Sequence, residues 1–283
     1  MVTFQTIEIA GFAPAIAGMR HPLKSYDKAD SAYDEDGNFH IGKNDYLLAK
    51  RLCQAGSPEH AKFLRQICVW VNITAPRYWW SEFDTYKVGT TANSQSTMHR
   101  LMKDGVTNND IDFPWDFVPA ASLIMEHYIY DLNNLIHNSM EIYPQYNSDK
   151  SFLELVKAML PEGYKQTRLV SLNYQVLRTM YGQRKNHRLS GWSTDFVDWI
   201  KTLPLPEWIT GDFPDEDQIF SKDWSNDAAE STESTEPTPE TLENNFDNVI
   251  FDDSTYVLSD VEDLDTPDDL TDLQSSEETF DNN

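Results

Sequence analysis

Apolar positions recur along the first two hundred residues in short blocks whose period changes from block to block. Val2, Phe4, Ile7 and Ile9 alternate roughly with polar residues and predict a strand before Gly11. Leu47, Leu48 and Leu52 mark the apolar side of a helix that Asn44 can cap and Gly56 can end in a left-handed conformation. A second helix is expected at once. Ser57-Pro58-Glu59 offers an N-cap, a proline whose missing N–H costs nothing and an acid near the positive end of the dipole, with Phe63, Leu64 and Ile67 facing the core. Ile67, Val69, Val71 and Ile73 then alternate with Cys68, Trp70 and Asn72, a β-branched strand pattern.

Farther on, Ile124, Tyr128, Leu132, Leu135 and Ile136 keep helical spacing from about Ala120 to Met140, which predicts a central core helix. A shorter helix from Ser151 to Leu160 stops at Pro161, and a strand, QTRLVSLN, follows. The next helix begins near Asn173 and runs toward His187, and Trp192, Phe196, Trp199 and Ile200 predict one last helix before Pro204. Strands and helices interleave, as in an α/β or α+β domain. One stretch fits neither period: RYWWSEFDTYKVGTTANSQSTMHRLMKDG, after Ala75-Pro76. Local rules that fail together often mark a functional region, and its aromatics suit either a subunit boundary or the chain's own core.

Charge divides the chain. Of its 283 residues 47 are acidic and 22 basic, and from Gly211 to Asn283 there are 24 acids against Lys222 alone. The expected organisation is therefore a domain over residues 1–210 and an acidic, mostly disordered tail over 211–283. Phe246, Val249, Ile250, Phe251, Tyr256, Val257 and Leu258 punctuate the tail's acids, so it is either a solvating appendage or a segment that docks on a basic partner. A net charge of -25 disfavours binding to duplex DNA. Two cysteines, no signal-like start and no apolar run near the roughly 18 residues of a membrane span predict a soluble, cytoplasmic protein.

Candidate chemistry is concentrated late in the domain. Lys165, Arg168, Arg178, Arg184, Lys185 and Arg188, with His187, occupy a stretch without Asp or Glu, which fits an anion site or a solvated basic face. Arg184 and Arg188 would lie one helical turn apart and could reach one ligand. Phosphate-loop, dinucleotide-fold, nucleophile-elbow and zinc-helix motifs are all missing, and the histidines show no metal-ligand spacing, so no metal is expected.

Taken together these segments resemble the flavin-dependent thymidylate synthases over most of residues 1–200. The family has an N-terminal strand, a helix pair and a strand ending in Ala-Pro, then an Arg-His-Arg signature followed after seven residues by serine. In this chain Ala75-Pro76 ends the strand, and Thr91, Asn93 and Ser96 stand where the family has Ser-x-Asn-x-x-Ser. Leu160-Pro161, Asn173 and Arg184, eleven residues after Asn173, match its second half. The departures are the Arg-His-Arg triplet, replaced around Thr85-Tyr86-Lys87-Val88, and an arginine after the serine, which is Met98.

The resemblance implies the fold of that family and its reaction, the reductive methylation of dUMP to dTMP with methylenetetrahydrofolate, FAD and NADPH. It places Arg184 against the pyrimidine carbonyl as the catalytic residue, and Lys157, Glu82 and Ser96 beside it in the substrate site. Lys87, Thr91, Asn93, Asn173, His187 and Arg188 fall at cofactor-binding positions. A homotetramer with composite active sites is the corresponding expectation. Two alternatives stand beside the enzyme: a non-catalytic homologue that binds dUMP or a related pyrimidine nucleotide, and an interaction protein acting through its acidic tail.

Overall fold

The structure is a computed structural model and describes residues 1–55, 59–147 and 149–215. The chain starts with β1 (Thr3–Ala10) and α1 (Phe12–Arg20), passes a two-residue hairpin, β2 (Ala32–Tyr33) and β3 (Phe39–His40), and enters α2 (Lys43–Gln54). Next come β4 (Cys68–Pro76), α3 (Arg77–Phe83), β5 (Thr91–Ser94), α4 (Thr97–Asp104), α5 (Pro119–Ile142) and α6 (Lys150–Ala158). β6 (Lys165–Asn173), α7 (Tyr174–Arg184), α8 (Val197–Thr202) and α9 (Glu207–Thr210) complete it. The main sheet has order β1-β4-β6-β5 and every pair in it is antiparallel, so the class is α+β.

β4 behaves as its alternation requires, with Val69, Val71 and Ile73 buried and Cys68, Trp70 and Asn72 half-buried. β1 is subtler. Its apolar positions change phase between Phe4 and Ile7, and at that point the pairing slips from Thr6 opposite Val71 to Glu8 opposite Trp70. Ile7 is the extra residue of a bulge and stands exposed, while Phe4 and Ile9, on either side, pack against the core.

Several local expectations are corrected. The N-cap of α2 is Gly42, and Asn44 lies inside the helix. The first-turn amides of Asn44 and Asp45 donate instead to the Asp30 carboxylate, at 2.7 and 3.0 Å, and a Cβ on Gly42 would come within 2.3 Å of that side chain. The buried face of α2 carries Asp45, Tyr46, Ala49 and Cys53, with the leucines only half-buried. Gly56, Ser57 and Pro58 lie outside the described residues; beyond them a 3-10 turn, Lys62–Gln66, takes the place of a second α-helix and still buries Phe63 and Leu64. α7 stops at Arg184, so Arg188 does not continue its face.

Two hydrophobic cores result. The first joins the sheet to α1, α2, α7, α8 and α9 and contains Trp79, Trp80, Trp192 and Trp208, so the aromatics after Ala75-Pro76 fill the chain's own core. The second gathers Leu101, Ile111, Leu132, Ile136 and Val156 from the segment between β5 and β6. α5 belongs to this smaller core and is not central: only Ile129, Leu132 and Ile136 are buried, and Leu123, Ile124 and Tyr130 are more than 60% exposed. Phe213 packs against the first core. The acidic tail lies outside the described residues from position 216 onward.

Candidate functional site

The stretch without a clear period, residues 77–104, supplies α3, β5 and α4, and α3, α4 and the turn between β5 and α4 border two adjoining clefts. The larger, about 420 Å³, lies between α3, the start of β6 and the end of α6. Arg77 and Trp80 come from α3, which follows β4 without a loop because Pro76 is extended and caps the helix start. Arg168 comes from β6 and Lys157 from the last turn of α6, whose first turn is capped by Asp149 accepting from the amide of Ser151 at 2.8 Å.

The guanidinium of Arg168 lies 4.1 Å above the Trp80 ring and donates to Asp84 at 2.8 Å and to Gln166 at 3.1 Å. Arg77 donates to the Leu160 carbonyl at 3.2 Å and sits 3.7 Å from Glu162, which fastens the end of α6 to α3. Lys157 is exposed and has no ion-pair partner among the described residues. The smaller cleft, about 280 Å³, shares Thr97, Tyr164 and Gln166 with the larger and is also lined by Ser96, Arg100 and Lys165. Burial raises the Tyr164 phenol above its ordinary pKa, so at neutral pH it is a neutral hydrogen-bonding group between the clefts.

Arg184 forms a separate network. Its Nη1 donates to Glu82 at 2.5 Å and its Nε to the Tyr86 hydroxyl at 2.9 Å, while Tyr86 donates to Gln183 at 2.8 Å. The guanidinium also lies over Trp192, 5.2 Å from the ring centre, in a π-helical turn over Gly191–Phe196. Burial opposes its charge, but the bonds to Tyr86 and Glu82 outweigh that and move its pKa upward. The stretch around Arg184 holds no acid in sequence, and the fold supplies one from afar: Glu82, 102 residues earlier.

The cationic stretch is dispersed in the same way. Arg178 is structural, donating to the carbonyls of Cys53 at 2.7 Å and Trp208 at 3.2 Å. Of the substrate positions, Lys157 lines the larger cleft and Ser96 the smaller, whereas Glu82 and Arg184 line neither. Of the cofactor positions, Thr91 and Asn93 stand exposed on the edge strand β5, and Lys87 and Arg188 are exposed. The Asn173 carbonyl caps α7 by accepting from Val176 at 3.0 Å, and His187 Nδ1 accepts from Leu189 at 3.2 Å. None of these six borders either cleft.

Arg77 and Trp80 are among the cleft residues that sequence reasoning missed, with Thr97, Arg100, Tyr164 and Gln166. For Arg77 and Trp80 the available signal was position, directly after an Ala-Pro that ends a buried strand. Burial pushes the Cys53 thiol up to about 11, which makes it a packing residue rather than a nucleophile. No helix among the described residues is long and apolar enough to cross a membrane.

Comparison with solved structures finds the same fold in the flavin-dependent thymidylate synthase ThyX of Helicobacter pylori. One structure with FAD and dUMP matches with a TM-score of 0.54 and 15% identity, covering 74% of this chain and 97% of that one. A second, also with FAD and dUMP, gives 0.53 and 16% over the same shares. No protein-family model and no curated protein matches the chain.

Proposed function

We propose that this chain is a divergent flavin-dependent thymidylate synthase-like protein that holds dUMP or a related pyrimidine nucleotide in the larger cleft. The reading is carried by the convergence of Arg77, Lys157 and Arg168, from three separate elements, beside Trp80. Lys157 is the uncommitted charge among them and takes the phosphate. Arg168, 4.1 Å over the Trp80 ring, offers a planar cationic group to a pyrimidine ring. Arg77 positions Lys157 by tying the end of α6 to α3.

In its synthase form the reading includes reductive methylation of dUMP to dTMP, with methylenetetrahydrofolate as carbon donor and NADPH as reductant. FAD, when bound, supplies the hydride transfer that amino-acid side chains cannot. In that form Arg184, which lines neither cleft, would reach a pyrimidine only in a site completed by a second copy of the chain, and the flavin positions would need the same second copy. Exposed Leu123, Ile124 and Tyr130 on α5 favour such a homo-oligomer. The Glu82–Arg184 pair favours a second reading, nucleotide binding without catalysis, because the guanidinium already has partners within the chain.

Calorimetric titration of dUMP into wild type and Lys157→Gln tests the common core of both readings. A loss of about tenfold or more in the variant supports it, the usual effect of removing a charged hydrogen bond. Equal affinity removes Lys157 from the site, and no binding to wild type removes the nucleotide reading. A yellow protein that releases FAD on denaturation and converts dUMP to dTMP selects the synthase; a colourless one that binds dUMP selects the second reading.

A further inference from the structure

Five cationic side chains line the two joined clefts, and three of them are already neutralised. Arg77 faces Glu162 at 3.7 Å, Arg168 faces Asp84 at 2.8 Å and Arg100 faces Asp104 at 3.1 Å. The remaining two, Lys157 in the larger cleft and Lys165 in the smaller, have no ion-pair partner among the described residues. The other carboxylate on the rim, Asp110, is turned to its own turn, accepting from the Thr107 amide at 2.8 Å and hydroxyl at 2.6 Å. Lys165 is half-buried, so leaving its charge uncompensated is costlier than at an exposed position.

The wall common to both clefts is neutral and polar, made by Thr97, Tyr164 and Gln166. An ammonium in each cleft beside such a wall gives two anion anchors joined by neutral hydrogen-bonding groups. A nucleoside monophosphate has a phosphate for only one of them. We infer that the joined clefts take a pyrimidine nucleotide with two phosphate groups, one on Lys157 and the second on Lys165. The second phosphate is either the next unit of a 5′-phosphate chain or an internucleotide phosphate. This rests on the nucleotide reading of the larger cleft and extends it to the ligand's second anionic group.

The test is titration of the full chain at low salt with dUMP, with dUDP and with a 5′-phosphorylated deoxyuridine dinucleotide, in wild type, Lys165→Gln and Lys165→Arg. At least one of the two longer ligands should bind about tenfold or more tightly than dUMP. Which one does so identifies the source of the second phosphate. Lys165→Gln should erase that gain while binding dUMP as wild type does, and Lys165→Arg should keep it; melting temperatures verify that both variants fold. Equal affinity for all three ligands, or a gain that survives in Lys165→Gln, overturns this inference and leaves the nucleotide reading in place. Failure of all three to bind overturns the nucleotide reading and this inference with it.

Discussion

Replacing Arg184 by alanine removes three interactions at once, and their sum separates a structural clasp from a ligand contact. The ion pair with Glu82 is partly open to solvent, with the glutamate side chain 38% exposed, so it contributes about 0.5–1 kcal/mol. The bond to the Tyr86 hydroxyl adds about 1 kcal/mol. Stacking over Trp192 and Tyr86 adds about 0.5–1 kcal/mol. Arg184→Ala should therefore lose about 2–3 kcal/mol, which in a domain of this size lowers the melting temperature by about 5–10 °C. Arg184→Lys should recover less than half, because an ammonium cannot bond Glu82 and Tyr86 in one plane. Glu82→Gln, which removes only the ion pair, should cost under about 1 kcal/mol. Thermal unfolding of the three variants checks this, and a wild-type melting temperature for Arg184→Ala would refute the clasp. Titration of the same proteins with dUMP then divides the two functional readings. A further loss of about 1.5–3 kcal/mol in binding places Arg184 on the nucleotide, and unchanged binding makes it a structural residue only.

Four other outcomes are expected. The Asp45 carboxylate is fully buried and accepts from Arg20, from the Ser31 hydroxyl and from the amides of Asp30 and Ser31; Asp45→Ala, which strands the Arg20 charge, should cost about 3–5 kcal/mol in denaturant titration. Burial raises the pKa of Asp45, but these hydrogen bonds outweigh it and the net shift is downward. Its stabilisation is therefore present above the unfolded aspartate value of about 3.9 and is lost as pH falls through the lower folded value, which a melting series in acid should show. A chain ending after Asp215 should melt as the full chain does, whereas one ending before Glu207 should not fold, because Trp208 is fully buried and Glu207 accepts from Tyr46 at 2.8 Å. In light scattering the wild type should be a homo-oligomer that Ile124→Glu reduces in mass; an unchanged mass would exclude the exposed face of α5 as the contact.

What the sequence determined alone is what neighbouring residues can decide between themselves. The alternation from Val69 to Ile73 specified β4 because side chains two apart share a face, and it did not matter which strands would flank it. Asn173 was legible as the start of α7 because its carbonyl reaches an amide three residues away. The ordered segments that resemble the flavin-dependent thymidylate synthases anticipated the fold that the solved structures share. The phase change between Phe4 and Ile7 was also written in the sequence, but only pairing with β4 showed it to be a bulge.

Tertiary structure decided everything that depends on partners distant along the chain. Asp30, not Asn44, takes the first-turn amides of α2; the apolar residues of α5 divide between a small core and an exposed face; and Arg184 finds Glu82 across 102 positions. The clefts belong to the same class, since Arg77, Lys157 and Arg168 meet only because β6 returns antiparallel beside β4 and brings the end of α6 against α3. The physical reason is the range of the forces that sequence patterns encode. Periodicity and capping act over one turn or one strand pair, whereas the neutralisation of a charge is settled by whichever group the folded chain places within a few ångströms of it.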